Sequence, residues 1–430
     1  MKNKFARISS NINHVYLMLT EACPLDCEYC YIKDRQTKNN ISDEAIDELV
    51  SSFEYHTPRI IYFGGEPLLE IEQIKRVTEK WKHKCQFQVI TSGLVNFDKF
   101  IDEVYQPNKE KFDIQISWDG FENDNRLLRN GKNKQDRVMS VILTTLEMGI
   151  PLQVRSVIND ENVDNLEKIY LTYRYLKQLY PHLTGDITIA HQKQFKDDFP
   201  EKFRNQYKKT LSIIQSDIEN GIDPYLPLEY MKKMTTALNG RNVSSCDAGN
   251  YLVLKPNGDL YPCTILSQQN DDVDFKMGSI YDRDLDYDMM DKMRQPSEAT
   301  KCKSCNVRSV CDGGCRYERV ANFGENWQEK VCGFTCGVSE AWFYETVDWV
   351  KKIDESVYDK FIQRLVLFNN WVINYDCGKH DDAKKFQTFD RKNIQEKERV
   401  DFYKVYRDAT EKKIIPIMPV SKRNVALAEL

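Results

Sequence analysis

Cys23, Cys27 and Cys30 stand close together in TEACPLDCEYCYI (residues 20–32), with no histidine nearby. Three thiols on one loop could belong to a disulfide knot, a zinc clip or an iron–sulfur ligand set. A structural zinc ion wants four ligands. A four-iron cluster also usually takes four thiolates. Three thiolates alone would leave one iron of such a cluster open to a small molecule.

The whole chain narrows these choices. It has 430 residues, 13 cysteines and a formal charge of −5. An odd cysteine count in a large chain without a basic-then-apolar export signal argues against a disulfide framework and for thiolate–metal chemistry. The acidic balance carries no polyanion-binding signature, so nucleic acid is not expected as a partner. The apolar run near the end, IIPIMPV, is short and broken by two prolines, so no membrane span is expected. A cytoplasmic protein of two or three packed units is the expectation. Three cysteines sit at 23, 27 and 30 and eight fall between 246 and 336, while Cys85 and Cys377 stand alone. The isolated pair read as small buried hydrophobes.

These cysteines need elements to hold them. Short apolar runs alternate with amphipathic stretches in the first half, the pattern of a parallel α/β fold. Candidate strands are 14–20, 59–63, 85–91, 111–117, 151–158 and 185–190. A helix is expected after Ser42 as N-cap, with Ile46, Leu49, Val50 and Phe53 on one face. Another from Asp164 aligns Leu166, Ile169, Tyr170, Tyr173 and Leu176. Six strands with crossover helices make an open doubly wound sheet or a partial barrel, and in both, ligands gather beyond the carboxyl ends of the strands. The residues able to do chemistry follow that rule. The cysteine loop follows the first strand, GGEP (64–67) the second, SG the third and WDG the fourth; Arg155 lies within the fifth and His191 follows the sixth.

The CxxxCxxC spacing, with Tyr29 before the last cysteine, closely resembles the signature of the radical SAM superfamily. The resemblance runs from about residue 13 to 190 and implies a partial (β/α)6 TIM-type barrel. It further implies a [4Fe–4S] cluster on Cys23, Cys27 and Cys30, whose open iron binds S-adenosyl-L-methionine. One electron then cleaves that cofactor to a 5′-deoxyadenosyl radical, which abstracts hydrogen from a substrate. YFGGEP (62–67) looks like the family segment that holds the methionyl amino group. There Gly64 and Gly65 would let the main chain approach the ligand, and Glu66 would meet the ammonium. Tyr29, Ser92 and Ser117 become candidate cofactor contacts, and Arg155 a partner for a carboxylate of cofactor or substrate.

The second cysteine field reads CDAGNYLVLKPNGDLYPC (246–263), CKSCNVRSVCDGGC (302–315) and VCGFTC (331–336, with Val331). On its own such a field is compatible with a zinc ribbon. Its spacing resembles the SPASM extension of radical SAM enzymes that act on peptides and proteins. That resemblance implies two auxiliary [4Fe–4S] clusters, three clusters in all. Cys302, Cys305, Cys311 and Cys332 would enclose one. Cys246, Cys263 and Cys315 would hold the other, nearer the barrel, with Cys336 closing it or one iron left open.

The expected organisation is a barrel over 1–195, a helical connector over 196–240, a cysteine-rich domain over 241–337 and a helical region over 338–430. The expected activity is modification of a peptide or protein side chain, with a C–S, C–C or C–O cross-link in a ribosomally made peptide as the leading product. Sulfatase maturases of the superfamily place an aspartate after YPC and an additional cysteine soon after the first SPASM cysteine. This chain has Thr264 and DAGNYLV there, which counts against formylglycine formation. Small-molecule oxidation is a rival within enzymes, and an iron–sulfur electron carrier or redox sensor one outside them; GGEP counts against the latter. Many peptide maturases carry a leader-binding module before the cysteine loop, whereas only 22 residues precede Cys23 here. A separate leader-binding partner is therefore an expected option, alongside a reductant such as flavodoxin or ferredoxin. His191 and Tyr31 are expected to face the cavity, where each could position or deprotonate a substrate group.

Overall fold

A computed structural model describes residues 12, 14–32, 35, 40–53, 57–121, 125–191, 194–227, 246–268, 273–281, 284–311 and 313–361. Cys377, residues 228–240 of the expected connector, residues 241–245 of the expected cysteine-rich domain, IIPIMPV and the charged 379–413 run lie outside the described residues.

Six parallel strands build the barrel wall in chain order. They are β1 (His14–Thr20), β3 (Arg59–Gly64), β4 (Gln86–Thr91), β5 (Phe112–Ser117), β7 (Leu152–Ile158) and β8 (Leu183–Ile189). Two short strands, β2 (Leu25–Cys27) and β6 (Arg126–Leu128), pair antiparallel to each other outside this wall. The crossovers run through α1 (Asp43–Ser51), α2 (Ile71–Trp81), α3 (Gln135–Glu147) and α4 (Leu166–Leu179). Ser42 caps α1 as expected, its hydroxyl accepting from Ala45 N at 3.1 Å. Between β4 and β5 a chain of short helical turns over residues 97–111 replaces a regular helix, and Pro107 falls within it. Two longer helices follow, α5 (Phe199–Glu219) and, at the far end, α8 (Gly333–Val350), and the Tyr207 and Thr346 hydroxyls join them at 2.7 Å. No helix among the described residues is long and apolar enough to cross a membrane.

The sheet is larger than six strands. The cysteine-rich region contributes β9 (Tyr251–Leu254), β10 (Asp259–Tyr261), β11 (Gly278–Ser279) and β12 (Asp284–Leu285). β9 pairs parallel with β1, and the others continue antiparallel into one ten-stranded sheet. Between β12 and α8 lie α6 (Tyr287–Arg294) and α7 (Arg316–Phe323).

Strand alternation gives the wall two unlike faces. Val15, Leu17, Tyr62, Phe87, Val89, Ile114, Ile116 and Val154 pack outward with the helices in the main core, which also takes in Cys85. Tyr16, Met18, Phe63 and Ile90 turn the other way and meet a second cluster formed with Val253, Cys263, Leu266, Cys315 and Trp327 of the cysteine-rich region. That inner face is also polar. Arg59 pairs with Asp113 at 3.0 Å, Gln88 with Gln153 at 3.3 Å and Arg155 with Asp186 at 3.6 Å.

The ends of β1 and β3 are spliced. β1 carries one extra residue between Met18 and Thr20 relative to β3, a bulge that turns the chain into the cysteine loop. Gly65 N donates to Thr20 O and Glu66 N to Ala22 O, each at 2.8 Å. Gly64 has φ +140°, and a Cβ at Gly64 or Gly65 would collide with the Thr20 or Ala22 carbonyl. The glycines therefore serve an approach of the protein to itself, where the sequence suggested an approach to a ligand. Gly65→Ala is expected to cost about 1–3 kcal/mol, read by denaturant unfolding.

His14, at the start of β1, gives a pH signature. Burial, with Arg59 nearby, lowers its imidazole from 6.5 to about 4. Below 6.5 the unfolded chain binds a proton that the folded chain refuses until about 4, so stability falls as the pH drops through that window and is constant above it. The loss is on the order of 3 kcal/mol. His14→Phe is expected to flatten the dependence, and unfolding curves across the window measure it.

Candidate functional site

The cysteine loop is held from behind by its own main chain. Through β2, Cys27 lies opposite Arg126 of β6. Cys23 N donates to Arg35 O at 3.0 Å, Glu28 N to Asn125 O at 3.0 Å and Cys30 N to Cys27 O at 3.1 Å, while Arg129 Nε donates to Cys23 O at 2.8 Å. Cys27 and Cys30 lie close enough to raise Cys23. Burial pushes Cys23 up to about 12, with the Glu66 carboxylate and the two other thiols adding to the effect. Burial also raises Cys27, opposed by Arg126. Such thiols become thiolates only when a cation meets them.

Arg126 supplies part of that charge and marks a place for more. It is buried, and its Nη1 donates to Tyr29 Oη at 2.8 Å. Tyr29 in turn donates to Asp119 Oδ2. Asp119 is fully buried, its Oδ1 accepts from Val157 N at 2.8 Å, and burial raises its carboxyl against the pull of Arg126. The Arg126 Nε–H has no hydrogen-bond partner among the described residues. A sulfide or thiolate of a cluster at Cys27 would accept it, so both the donor set and this orphaned proton fit an iron–sulfur group. Tyr29 thus belongs to the support of the loop. Asp119 and Arg126 were not singled out in the sequence, although WDG at a strand end was the available signal for Asp119.

Glu66 caps the turn that opens at Pro67 and is 1% exposed. Its Oε1 accepts from Thr91 Oγ1 at 2.6 Å and Leu68 N at 3.2 Å, and its Oε2 from Ser92 N at 2.9 Å and the Ser92 hydroxyl. The carboxylate therefore ties the end of β3 to the end of β4 while its charge stays within reach of Cys23. Ser92 serves Glu66 directly. Thr91 does the same and was missed, since a threonine inside a strand carries no chemical signal. Ser117 lies in register beside Arg155 on the neighbouring strand, and Arg155, 38% exposed at its side chain, reaches Asp186. Tyr16 feels both Arg155 and Cys263, and burial raises its phenol. Barrel wall and second cysteine field thus meet at the inner face.

In that second field Cys246, Cys263 and Cys315 are neighbours. Burial pushes Cys263 up to about 12, and Cys246 and Cys315 raise it further. Tyr251 is hydrogen-bonded to the Cys263 sulfur. Tyr31, which directly follows Cys30, is raised by burial and by Cys30, and it is hydrogen-bonded to Thr264. One side chain thus spans the two cysteine fields. His191 Nδ1 lies 3.0 Å from Glu318 Oε1, and its ring is hydrogen-bonded to Cys315. Desolvation lowers the His191 imidazole, but only against a side chain that is 42% exposed, and Cys315 and Glu318 raise it well above 6.5. Its carboxylate partner separates it from a plain solvent-facing loop histidine. A separate pocket is lined by Cys302, Cys305, Cys311 and Cys336, with Lys301 and Arg308 beside them. Cys332 stands at the N-cap of α8, and Cys336 N donates to its carbonyl at 3.1 Å.

Residues 17–172 match the family model of the radical SAM superfamily. The chain is 23% identical over 369 residues to an Fe-coproporphyrin III synthase of Methanosarcina barkeri, covering 76% of this chain and 88% of that protein. It is 22% identical over 352 residues to a cysteine-type anaerobic sulfatase-maturating enzyme of Clostridium novyi, covering 72% and 89%. Its fold resembles that of native anSMEcpe with bound AdoMet and Cp18Cys peptide, with a TM-score of 0.60 and 17% identity over 84% of this chain and 99% of that one. Residues 17–172 thus carry a radical SAM domain, and the chain is an enzyme related to the peptide-modifying maturases.

Proposed function

We propose that this enzyme binds S-adenosyl-L-methionine at a [4Fe–4S] cluster on Cys23, Cys27 and Cys30 and abstracts hydrogen from a peptide or protein side chain, with a C–S, C–C or C–O cross-link as product. The observation that carries this reading is Tyr31, which runs from Cys30 to Thr264 and so couples the cofactor loop to the second cysteine field. When bound, the cluster and S-adenosyl-L-methionine supply the hydrogen-abstracting radical. The chain's own side chains do the rest. Glu66, locked by Thr91 and Ser92, presents fixed negative charge beside the loop. Ser117 and Arg155 offer a hydroxyl and a guanidinium at the inner face, the latter suited to a carboxylate of cofactor or substrate. Tyr31, raised by burial, stays a phenol at neutral pH and so donates a hydrogen bond to a substrate group rather than acting as a base.

Two auxiliary clusters complete the proposal. Cys246, Cys263 and Cys315 hold the nearer one. Cys302, Cys305 and Cys311 hold the other together with Cys336, which lines their pocket, in place of the Cys332 that the resemblance implied. A one-electron donor of the flavodoxin or ferredoxin class supplies the electron. The peptide in the anSMEcpe structure supports a peptide substrate. Formylglycine formation is disfavoured because Thr264 offers a hydroxyl, bonded to Tyr31, where the sulfatase maturases use a carboxylate base. The relative named for Fe-coproporphyrin III synthesis supports a second reading, oxidation of a small molecule.

Anaerobic, iron-replete, reduced protein is expected to convert S-adenosyl-L-methionine to 5′-deoxyadenosine, and Cys30→Ala to abolish that product. Chromatography reads the result, and replete protein that forms none would refute the proposal. Cys336→Ser is expected to lower bound iron by about four atoms per chain and Cys332→Ser to leave it unchanged. The opposite iron counts would return the ligand role to Cys332.

A further inference from the structure

Glu28 and Tyr29 separate Cys27 from Cys30, and both are tied to one buried hydrogen-bond circuit. Glu28 N donates to Asn125 O at 3.0 Å. The Asn125 and Asn159 side chains form a reciprocal amide pair, Asn125 Nδ2 donating to Asn159 Oδ1 at 2.8 Å and Asn159 Nδ2 to Asn125 Oδ1 at 3.1 Å. Asn162 carries the circuit on. Its Oδ1 accepts from Asn159 N and its Nδ2 donates to Val157 O, each at 2.8 Å. Val157 N donates to Asp119 Oδ1 at 2.8 Å, and Asp119 Oδ2 accepts from the Tyr29 hydroxyl. The circuit thus leaves the cysteine loop at Glu28 and returns to it at Tyr29. Asn125, Asn159, Asn162 and Asp119 are all buried.

A reciprocal amide pair makes both its bonds in only one mutual orientation, so it fixes two loops against each other where an apolar contact would let them slide. Asn125 lies just before β6, which pairs with the cysteine-bearing β2, and Asn159 just past β7, which carries Arg155. We propose that the Asn125–Asn159 pair positions Cys27 and Cys30 relative to the strand of Arg155 and thereby sets the affinity of the loop's cluster for S-adenosyl-L-methionine. The two asparagines are positioning residues that act through Glu28 and Tyr29. Partners that stand behind a ligand shell commonly change affinity or activity ten-fold or more when they are removed. This inference rests on the cluster proposed above for Cys23, Cys27 and Cys30.

The test is a titration of the full-length, iron-replete, reduced protein with S-adenosyl-L-methionine, followed by electron paramagnetic resonance of the cofactor cluster. Asn125→Leu and Asn159→Leu are each expected to keep their iron and to bind about ten-fold more weakly. The double variant is expected to bind no more weakly than either single one, because the pair acts as a unit. Ile214→Ala, in the main core on α5, is the control. It lowers stability in denaturant and is expected to keep the wild-type affinity. An equal weakening by Ile214→Ala would reduce the asparagines to general stability and overturn the inference. Iron-replete single variants that bind as the wild type does would overturn it too. Should the single variants lose iron, the double variant decides, because removing both partners of a buried pair costs far less than removing one. Wild-type affinity there overturns the inference, and weaker binding or none sustains it. Wild-type protein whose cluster spectrum S-adenosyl-L-methionine leaves unchanged would sink the cofactor reading itself.

Discussion

Everything at this site depends on the close passage of two backbones. Gly65 N and Glu66 N donate to the carbonyls of Thr20 and Ala22 across a gap that admits no β-carbon. The seam starts the cysteine loop at a fixed point and delivers Glu66 beside it. Glu66 then closes the next joint by accepting from Thr91 and Ser92 at the end of β4. Three strand ends are thus set by main-chain hydrogen bonds and one buried carboxylate. A loop placed by such bonds holds its thiols in a defined arrangement before any iron arrives, which is how a site gains affinity from its scaffold.

The second cysteine field uses the same strand. β9 adds to the free edge of β1, and Tyr251 packs on Tyr16 with ring centroids 4.9 Å apart. β1 therefore feeds the cofactor loop from its end and carries the auxiliary field on its edge. The cysteine-rich region need not build an independent core, because Val253, Leu266 and Trp327 share one cluster with Met18 and Phe63 of the barrel. Tyr31 and Tyr16 bridge what remains between the two.

The barrel was legible because its strands are six or seven residues long and rich in apolar side chains, and its helices keep their stripe. Ser42, Ile46, Tyr170 and Tyr173 stand where their spacing placed them. β9 to β12 were not legible. They run two to four residues, and what holds them is the edge of β1, which no local pattern announces. In the site, the cysteines, Gly64, Gly65 and Glu66 were visible as motifs, yet the glycines serve the seam and Ser92 serves Glu66. Thr91, Arg126 and Glu318 were invisible for one shared reason. Each acts through a partner far away in sequence, and a polar residue in a strand or helix reads as solvated until that partner is known.

Charge explains why those hidden residues sit where they do. Gathering thiolates in a buried place costs several kcal/mol per charge unless cations meet them, and the chain as a whole is negative, at −5. Each cysteine group has its own cation. Arg126 lies at Cys27. Arg316, fully buried, lies at Cys246, and it donates to the carbonyls of Met293, Gly314 and Gln295 at 3.3, 3.2 and 3.0 Å. Lys301 and Arg308 line the pocket of Cys302, Cys305, Cys311 and Cys336. Carbonyls orient Arg316 without carrying net charge, so they leave its field directed at the cysteines. Arg126 is placed differently, because Asp119 and Tyr29 share it with Cys27. Arg35, itself paired with Asp26, adds a second cation at Cys27.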